Sequence, residues 1–179
     1  EQWCLDLLAH VTYDDYWKQP GYGSRPYYDQ HADVPTLYVG GWYDTYTRGS
    51  VENYQELSRR KSTPVHLLMG PWHHGGVGVP QAGDLSFQPD GGLSHYESTR
   101  LQWFDEHLKG LHTGLSEARA VRYFVMGGGP GPQEIGRTIL HGGEWKAADT
   151  WPPPNTVPTA FYLHADGTLS TEAPVENCE

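Results

Sequence analysis

The sequence predicts an α/β fold followed by the start of a β-sandwich. A strand, a helix and a second strand follow one another within residues 34–70, and after Ser116 the segments become strand-like between turns rich in glycine and proline. A strand–helix–strand unit favours a parallel sheet, because the helix returns the chain to the edge from which it started. Short strand-like segments separated by such turns are typical of an antiparallel sandwich.

The two strands are short apolar runs that end in glycine. They cover residues 34–40 (VPTLYVG) and 64–70 (PVHLLMG). Runs of this length with β-branched residues are typical of buried strands. Between them, residues 50–60 predict a helix, because apolar side chains recur there at helical spacing.

A second helix is predicted over residues 95–109. Ser94 and Glu97 match a capping box, in which the serine caps an amide and the glutamate reaches back. Gly110 is a natural helix stop. The helix has an apolar stripe formed by Leu101, Phe104 and Leu108.

The segment after Ser116 predicts only part of a β-sandwich. Residues 121–126 (VRYFVM) and 159–163 (TAFYL) are strand-like, and no helical period runs between them. About 60 residues are too few for an eight-stranded jelly roll. We therefore expect the chain to hold only the beginning of such a domain.

Composition excludes several classes of protein. Lys and Arg total 12 against 22 Asp and Glu, so the formal charge is −10 and no basic excess exists to bind a phosphate backbone. Hydrophobic residues make up 37% and aromatic residues 13%, which is not the composition of a disordered chain. No apolar run approaches the roughly 20 residues of a membrane helix. We expect neither a nucleic acid nor a membrane as partner.

The cysteines and the first residues say little about the compartment. Cys4 and Cys178 are too few for a disulfide framework, and we expect two free thiols. No signal peptide is present, which slightly favours the cytoplasm. The sequence starts at Glu1 rather than Met, so the compartment is left open.

Polar side chains follow both predicted strands at the point where each strand ends. Asp44 comes after the first strand, and His73 and His74 come after the second. Since ligands bind outside the carboxyl ends of such strands, we expect an acid and an imidazole side by side there. They match the acid–base half of a hydrolase triad, in which the carboxylate orients the imidazole and the imidazole relays a proton. A turn-capping aspartate and a surface pair of histidines are the alternatives.

The sequence lacks the matching nucleophile. A serine on a strand-to-helix turn needs glycines two residues before and two after it, because side chains there would clash. Ser94 has Gly92 before it but Tyr96 after it, and no other serine fits. The acid and base are present without their nucleophile.

Segments spread over nearly the whole chain occur in the same order as in one family of serine hydrolases. They are residues 10–17 (HVTYDDYW), 41–44 (GWYD), 70–74 (GPWHH), 104–110 (FDEHLKG), 121–127 (VRYFVMG) and 145–152. In these the sequence resembles the cocaine esterase, α-amino-acid ester hydrolase and X-Pro dipeptidyl-peptidase family, also called CocE/NonD-like. The resemblance implies the carboxyl-terminal half of an α/β-hydrolase sheet followed by the start of a jelly roll.

The resemblance implies a role for three residues. Asp44 is the triad acid, and His74 rather than His73 is the triad base, because the family motif ends in its histidine and the preceding residue varies. Tyr46 matches an aromatic wall of the acyl pocket, although packing of the loop is an equal explanation. The nucleophile and the oxyanion-hole tyrosine would lie upstream, so we expect this chain alone to be inactive.

The resemblance also implies a division of the chain and a reaction. Residues 1–30 would end a helical cap, 31–117 would form the half-sheet, and 118–179 would begin the jelly roll. The reaction would cleave an ester or amide bond, acyl or aminoacyl, in a small ester or short peptide, with no cofactor and no metal. Simple esters, α-amino esters, β-lactam side chains and X-Pro peptides stay open as substrates, as does a homo-oligomer.

Two other functions are kept as alternatives. The first is a metal-dependent hydrolase that uses His73, His74, Asp44 and His95, although no His-x-x-x-His or His-Glu-x-x-His spacing occurs. The second is a non-enzymatic β-sandwich that binds carbohydrate or another protein. Bound zinc would favour the first, and glycan binding without hydrolysis would favour the second.

Overall fold

The computed structural model describes residues 2–129, 134–135 and 138–174. Its helices are α1 (Gln2–Ala9), a 3-10 helix (Arg25–Gln30), α2 (Thr47–Leu57) and α3 (Leu93–Lys109). Its strands are β1 (Thr36–Tyr43), β2 (Val65–His73), β3 (Gln81–Ala82), β4 (Leu85–Ser86), β5 (Val121–Met126), β6 (Glu134–Ile135), β7 (Thr138–Leu140), β8 (Gly143–Ala148), β9 (Tyr162–Leu163) and β10 (Leu169–Ser170).

The main sheet has the strand order β1-β2-β5-β8. Strand β1 runs parallel to β2, and β2 runs parallel to β5. Strand β8 returns antiparallel to β5 at the edge. The parallel β1–α2–β2 unit confirms the predicted α/β arrangement.

Strand β5 lies in a different place from the one the sequence predicted. The prediction put residues 121–126 at the start of the sandwich, whereas β5 hydrogen-bonds to β2 inside the α/β sheet. Val121 and Phe124, which are three residues apart and so face opposite sides of the strand, are both almost fully buried. Burial on both faces is typical of a central parallel strand. The sheet therefore extends to Ala148, past the expected boundary at 117 and 118.

Helices cover both faces of the main sheet. Successive side chains of a strand point to opposite faces. On one face, Leu67 and Met69 of β2 share a core cluster with Tyr54 of α2. On the other face, the ring of His66 lies 5.4 Å from that of Trp103 on α3. The fold thus has a helix–sheet–helix arrangement with β2 in its centre.

The loop after β2 is held against the main sheet by aromatic side chains. Its short strands β3 and β4 join β7 and β6 in a second small sheet. Phe87 of this loop is fully buried, and its ring lies 5.9 Å from that of Phe124. The indole N–H of Trp145 donates to the carbonyl of Asp90 at 2.7 Å. The loop after β2 therefore forms a layer that packs on the main sheet.

Helix α3 begins two residues earlier than predicted. Its N-cap is Gly92, so the predicted capping box, which needed Ser94 at that position, is wrong. The helix ends as predicted at Lys109, and Gly110 adopts the left-handed conformation of a C-cap. The buried face carries Thr99 and Trp103. The apolar stripe identified in the sequence is instead exposed, at Leu101, Phe104 and Leu108.

The carboxyl-terminal region contains the antiparallel pair β9 and β10. The jelly roll expected here stays a prediction. Cys4 is a free thiol, and Cys178 lies outside the described residues. Within the described part of the chain, no helix is both long and apolar enough to cross a membrane.

Candidate active site

The candidate site lies where β1 and β2 end side by side. Their register pairs Gly41 with Gly70 and Tyr43 with His73, with an irregularity between Gly41 and Tyr43. Asp44 directly follows the last residue of β1, and His74 directly follows the last residue of β2. Parallel pairing therefore brings the predicted acid and base to the same edge, as the sequence suggested.

The glycines in these two motifs allow a close approach around Trp72. A Cβ atom on Gly41 would lie 2.1 Å from the carbonyl oxygen of Trp72, and one on Gly70 would lie 2.3 Å from its indole ring. Trp72 is fully buried and donates its indole N–H to the carbonyl of Gly91 at 2.8 Å. The two strand ends can keep this spacing only if both positions are glycine, because a side chain at either one would collide with Trp72.

Asp44 and His74 are paired through their side chains. Nδ1 of His74 lies 3.2 Å from Oδ1 of Asp44 and 3.3 Å from Oδ2. The Asp44 side chain is only 15% exposed, whereas that of His74 is 66% exposed. A carboxylate at Nδ1 favours the tautomer with its proton on Nδ1, which leaves Nε2 as the hydrogen-bond acceptor.

Backbone and side-chain groups of one short turn hold Asp44 in place. The amide of Tyr46 donates to Oδ1 of Asp44 at 2.9 Å, and the amide of Asp44 donates to the carbonyl of Gly41 at 3.0 Å. The Tyr46 amide lowers the pKa of the Asp44 carboxyl; the hydrogen bond and charge of His74 and the charge of His73 lower it further, against the opposing effect of burial. Asp44 is therefore an ionised hydrogen-bond acceptor at neutral pH.

Thr47 is a site residue that sequence reasoning missed. Its hydroxyl donates to the carbonyl of Asp44 at 2.7 Å and also contacts the carbonyl of Gly41. It thereby ties the end of β1 to the first residue of α2. A threonine three residues after the acid, at the start of a helix, is the signal that could have revealed it.

Of the other residues considered in the sequence, Tyr46 joins the pair and His73 and His95 do not. The ring of Tyr46 meets that of His74 edge-on, with centroids 4.9 Å apart. Nδ1 of His73 donates to the carbonyl of His74 at 2.8 Å, so His73 fixes the loop. His95 stacks on Trp145 at 4.9 Å. Within the residues that the structure describes, no group of three or more His, Cys, Asp or Glu side chains is arranged to hold a metal ion.

Comparison with known proteins gives consistent similarities. Residues 1–76 match the X-Pro dipeptidyl-peptidase (S15 family). A Mycobacterium bovis protein whose name describes a serine esterase is 35% identical over 149 residues, which are 82% of this chain and 20% of that protein. Cocaine esterase of Rhodococcus is 27% identical over 172 residues, which are 94% of this chain and 26% of that protein.

Solved structures show the same fold. A CocE/NonD family hydrolase of Staphylococcus aureus matches with a TM-score of 0.64 and 22% identity, over 96% of this chain and 26% of that one. An aminopeptidase of a marine sediment thaumarchaeon matches with a TM-score of 0.67 and 24% identity, over 98% of this chain and 26% of that one. The chain thus spans between a fifth and about a quarter of the length of the proteins it matches.

Proposed function

Because the family match, the curated relatives and the structural neighbours all support the CocE/NonD-like family of hydrolases, we propose that this chain supplies the acid and base of a Ser-His-Asp triad. Asp44 is the acid and His74 is the base. The observation that carries the proposal is their geometry: a largely buried carboxylate lies 3.2 Å from Nδ1 of an imidazole whose side chain is 66% exposed. The serine belongs to a part of the protein upstream of this chain, and the 179 residues alone do not hydrolyse substrate.

The proposed reaction is acyl transfer in two stages. The serine oxygen attacks the carbonyl carbon of an ester or amide while its proton passes to Nε2 of His74. The tetrahedral intermediate then collapses, the bond to the leaving group breaks, and His74 gives the proton to that group. Water attacks the acyl-enzyme in the same way and regenerates the serine. Asp44 stays ionised throughout and stabilises the imidazolium form of His74.

The names of the relatives support a small ester or a short peptide as substrate. We propose that Tyr46 forms an aromatic wall beside the base, because its ring contacts that of His74. We propose that residues 1–30 end a helical cap and that the carboxyl-terminal segment begins a jelly roll. We propose one change of boundary, with the α/β unit running to Ala148 rather than to residue 117, because β8 pairs with β5 in the same sheet.

The test compares two neighbouring histidines in the longer protein that includes the serine-bearing region. We expect His74→Ala and Asp44→Asn to lower kcat for 4-nitrophenyl acetate by about a thousandfold or more, since either change removes proton relay through a correctly held imidazole. His73→Ala is the matched control, because within the part of the chain that the structure describes His73 hydrogen-bonds to the loop backbone and not to Asp44, and we expect it to lose less than about tenfold. Equal losses at His73 and His74, or an active His74→Ala enzyme, would contradict the assignment.

A further inference from the structure

A cavity of about 380 Å³ lies between α3, the segment that leads into β5, and the strands β5 and β8. Its volume is within the range of small-molecule sites. The segment precedes Val121, the first residue of β5, so the cavity is at the amino end of this strand. Asp44 and His74 follow the carboxyl ends of the parallel strands, at the opposite edge of the sheet. The cavity is therefore separate from the candidate active site. Its described lining consists of Gln102, Thr113, Gly114, Leu115, Ala118, Arg119, Arg122 and Ala147.

The charge of this lining is positive. Its charged residues are Arg119 and Arg122, and no side chain of the described lining is acidic. The whole chain has a formal charge of −10, so two guanidinium groups in one cavity without a carboxylate run against its overall composition. Gln102 and Thr113 add neutral polar groups. A cavity lined in this way attracts an anion.

Arg122 is half-buried, and it lacks the carboxylate that usually accompanies a buried cation. Within the described part of the chain its guanidinium hydrogen-bonds only to neutral groups. Nη1 donates to the hydroxyl of Thr99 at 2.9 Å, and Nη2 donates to Nδ1 of His95 at 3.3 Å. Burial, together with the charge of Arg122, lowers the pKa of the His95 imidazole against the opposing charge of Asp90, so His95 is a neutral acceptor at neutral pH.

The guanidinium of Arg122 keeps N–H groups for a further partner. A guanidinium has five N–H donors, and these two hydrogen bonds use two of them. Thr99 and Gln102 are three residues apart on α3 and share one face, so the guanidinium bound at Thr99 is next to the Gln102 wall of the cavity. Burial lowers the pKa of the Arg122 guanidinium. An anion beside it would offset the cost of burying this charge.

The second cation is held only loosely. Nε of Arg119 lies 3.8 Å from Oδ1 of Asp149, and the two side chains are 59% and 67% exposed. An exposed pair at this distance contributes little free energy, so Arg119 is free to turn towards an anion.

A carboxylate near the cavity wall is already engaged. Glu106 accepts hydrogen bonds from the amides of Leu115 and Ser116 at 3.0 and 3.1 Å and from the hydroxyl of Thr113. These bonds hold the pKa of the Glu106 carboxyl well below its usual range. Glu106 therefore fixes the wall of the cavity and is not among the described lining residues.

We propose that this cavity binds a small oxyanion between Arg119 and Arg122, and that it prefers divalent phosphate to a monovalent carboxylate. Two guanidinium groups match two negative charges, and their forked N–H groups suit the oxygens of a phosphate. The proposal does not depend on the triad, because the cavity and the acid–base pair lie at opposite edges of the sheet.

The test measures anion binding directly. Inorganic phosphate is titrated into the 15N-labelled 179-residue chain at about pH 7.5, where it is largely a dianion. Acetate and chloride are titrated in parallel at matched ionic strength. The arginine Nε–H signals show where each anion binds, and Arg119→Gln and Arg122→Lys assign the two signals of interest. We expect saturable shifts at both, with phosphate binding about tenfold more tightly than acetate and no saturable shift with chloride.

Arginine variants show whether the cavity is the binding site. Arg119→Gln should weaken phosphate binding by about tenfold, because it removes one of the two cations. Arg100→Gln is the matched control, since Arg100 is an exposed arginine of α3 that pairs with Glu97 and is not among the described lining residues. It should change the affinity by less than about twofold. Arg122→Lys keeps the charge but loses the fork, so it should also weaken phosphate binding. If Arg122→Lys does not fold, the comparison of Arg119→Gln with Arg100→Gln decides.

Three results would overturn the proposal. The first is no saturable shift at Arg119 and Arg122 with phosphate, and the second is an equal effect of Arg119→Gln and Arg100→Gln. The third comes from calorimetry on the longer protein that includes the serine-bearing region, where we expect phosphate to bind with similar affinity. Loss of binding there would mean that an acidic side chain from the rest of the protein fills the cavity. None of these readouts uses ester hydrolysis, so the result is independent of the activity of His74 variants.

Discussion

A methyl group at Gly41 should separate the ends of β1 and β2. The added Cβ would lie 2.1 Å from the carbonyl oxygen of Trp72, and 2.7 Å from its carbonyl carbon. A carbon–oxygen contact needs about 3.3 Å, so the backbone must open by about an ångström. Overpacking costs about 1–3 kcal/mol, and each ladder hydrogen bond that is lost costs about 0.5–1.5 kcal/mol more. We therefore expect Gly41→Ala to lower the free energy of unfolding by about 3 kcal/mol.

The preceding glycine offers a matched control in the same strand. A Cβ on Gly40 would meet Sδ of Met69 at 2.8 Å and Cβ of Ser50 at 3.3 Å. The methionine side chain is flexible and can move aside, so Gly40→Ala should cost about 1 kcal/mol or less. Alanine also stabilises a strand relative to glycine, but this increase in the free energy of unfolding applies to both variants and cancels in the comparison.

The assay is urea unfolding followed by tryptophan fluorescence. With a slope of about 2 kcal/mol per molar urea, the expected difference of about 2 kcal/mol places the Gly41→Ala midpoint about 1 M below that of Gly40→Ala. Gly41→Ala should also disturb Asp44, whose amide bonds to the carbonyl of Gly41. Equal midpoints for the two variants would refute the argument that Trp72 requires a glycine here.

Two further predictions concern stability. Burial lowers the pKa of the His66 imidazole, with repulsion from His107 adding to the effect and Glu106 opposing it. The unfolded state binds a proton near pH 6.5 that the folded state binds less readily, so stability should fall as the pH drops below about 6.5. Between about pH 7.5 and 5.5, the free energy of unfolding should therefore fall less in His66→Leu than in the unchanged chain. Urea midpoints that change equally with pH in the variant and the unchanged chain would contradict this. Gly49 lies within α2 with open space around its Cβ direction, so Gly49→Ala should raise the free energy of unfolding by about 0.5–1 kcal/mol; a lower urea midpoint would contradict it.

Elements with a local signature could be predicted from the sequence. Strands β1 and β2 and helix α2 lie within three residues of their expected bounds, because apolar runs, helical spacing and glycine stops are features of the chain itself. The juxtaposition of Asp44 and His74 followed from one further assumption, that consecutive parallel strands are neighbours. The register of β1 and β2 bears that assumption out.

Features that depend on distant residues could not be predicted. Strand β5 joins the sheet through pairing with Leu67 to Met69, more than fifty positions earlier, and its flanking glycines and prolines pointed to a sandwich instead. In α3, the neighbouring sheet selects Trp103 as the buried residue, whereas the sequence stripe favoured Leu101 and Phe104. Periodicity identifies an apolar face of a helix, but the neighbouring sheet decides which face is buried.

The acid and the base of the proposed triad need different surroundings. As the proposed acid, Asp44 has to stay ionised and fixed. The amide of Tyr46 bonds to its carboxylate and the hydroxyl of Thr47 bonds to its carbonyl, which achieves this without a buried cation. In the proposed reaction His74 exchanges a proton with an incoming oxygen, so one of its nitrogens has to stay accessible. A buried His74 would lose that access, and an exposed Asp44 would lose its hold on the ring to competing water. A 15% exposed carboxylate and a 66% exposed imidazole therefore fit the proton relay that we propose for this pair.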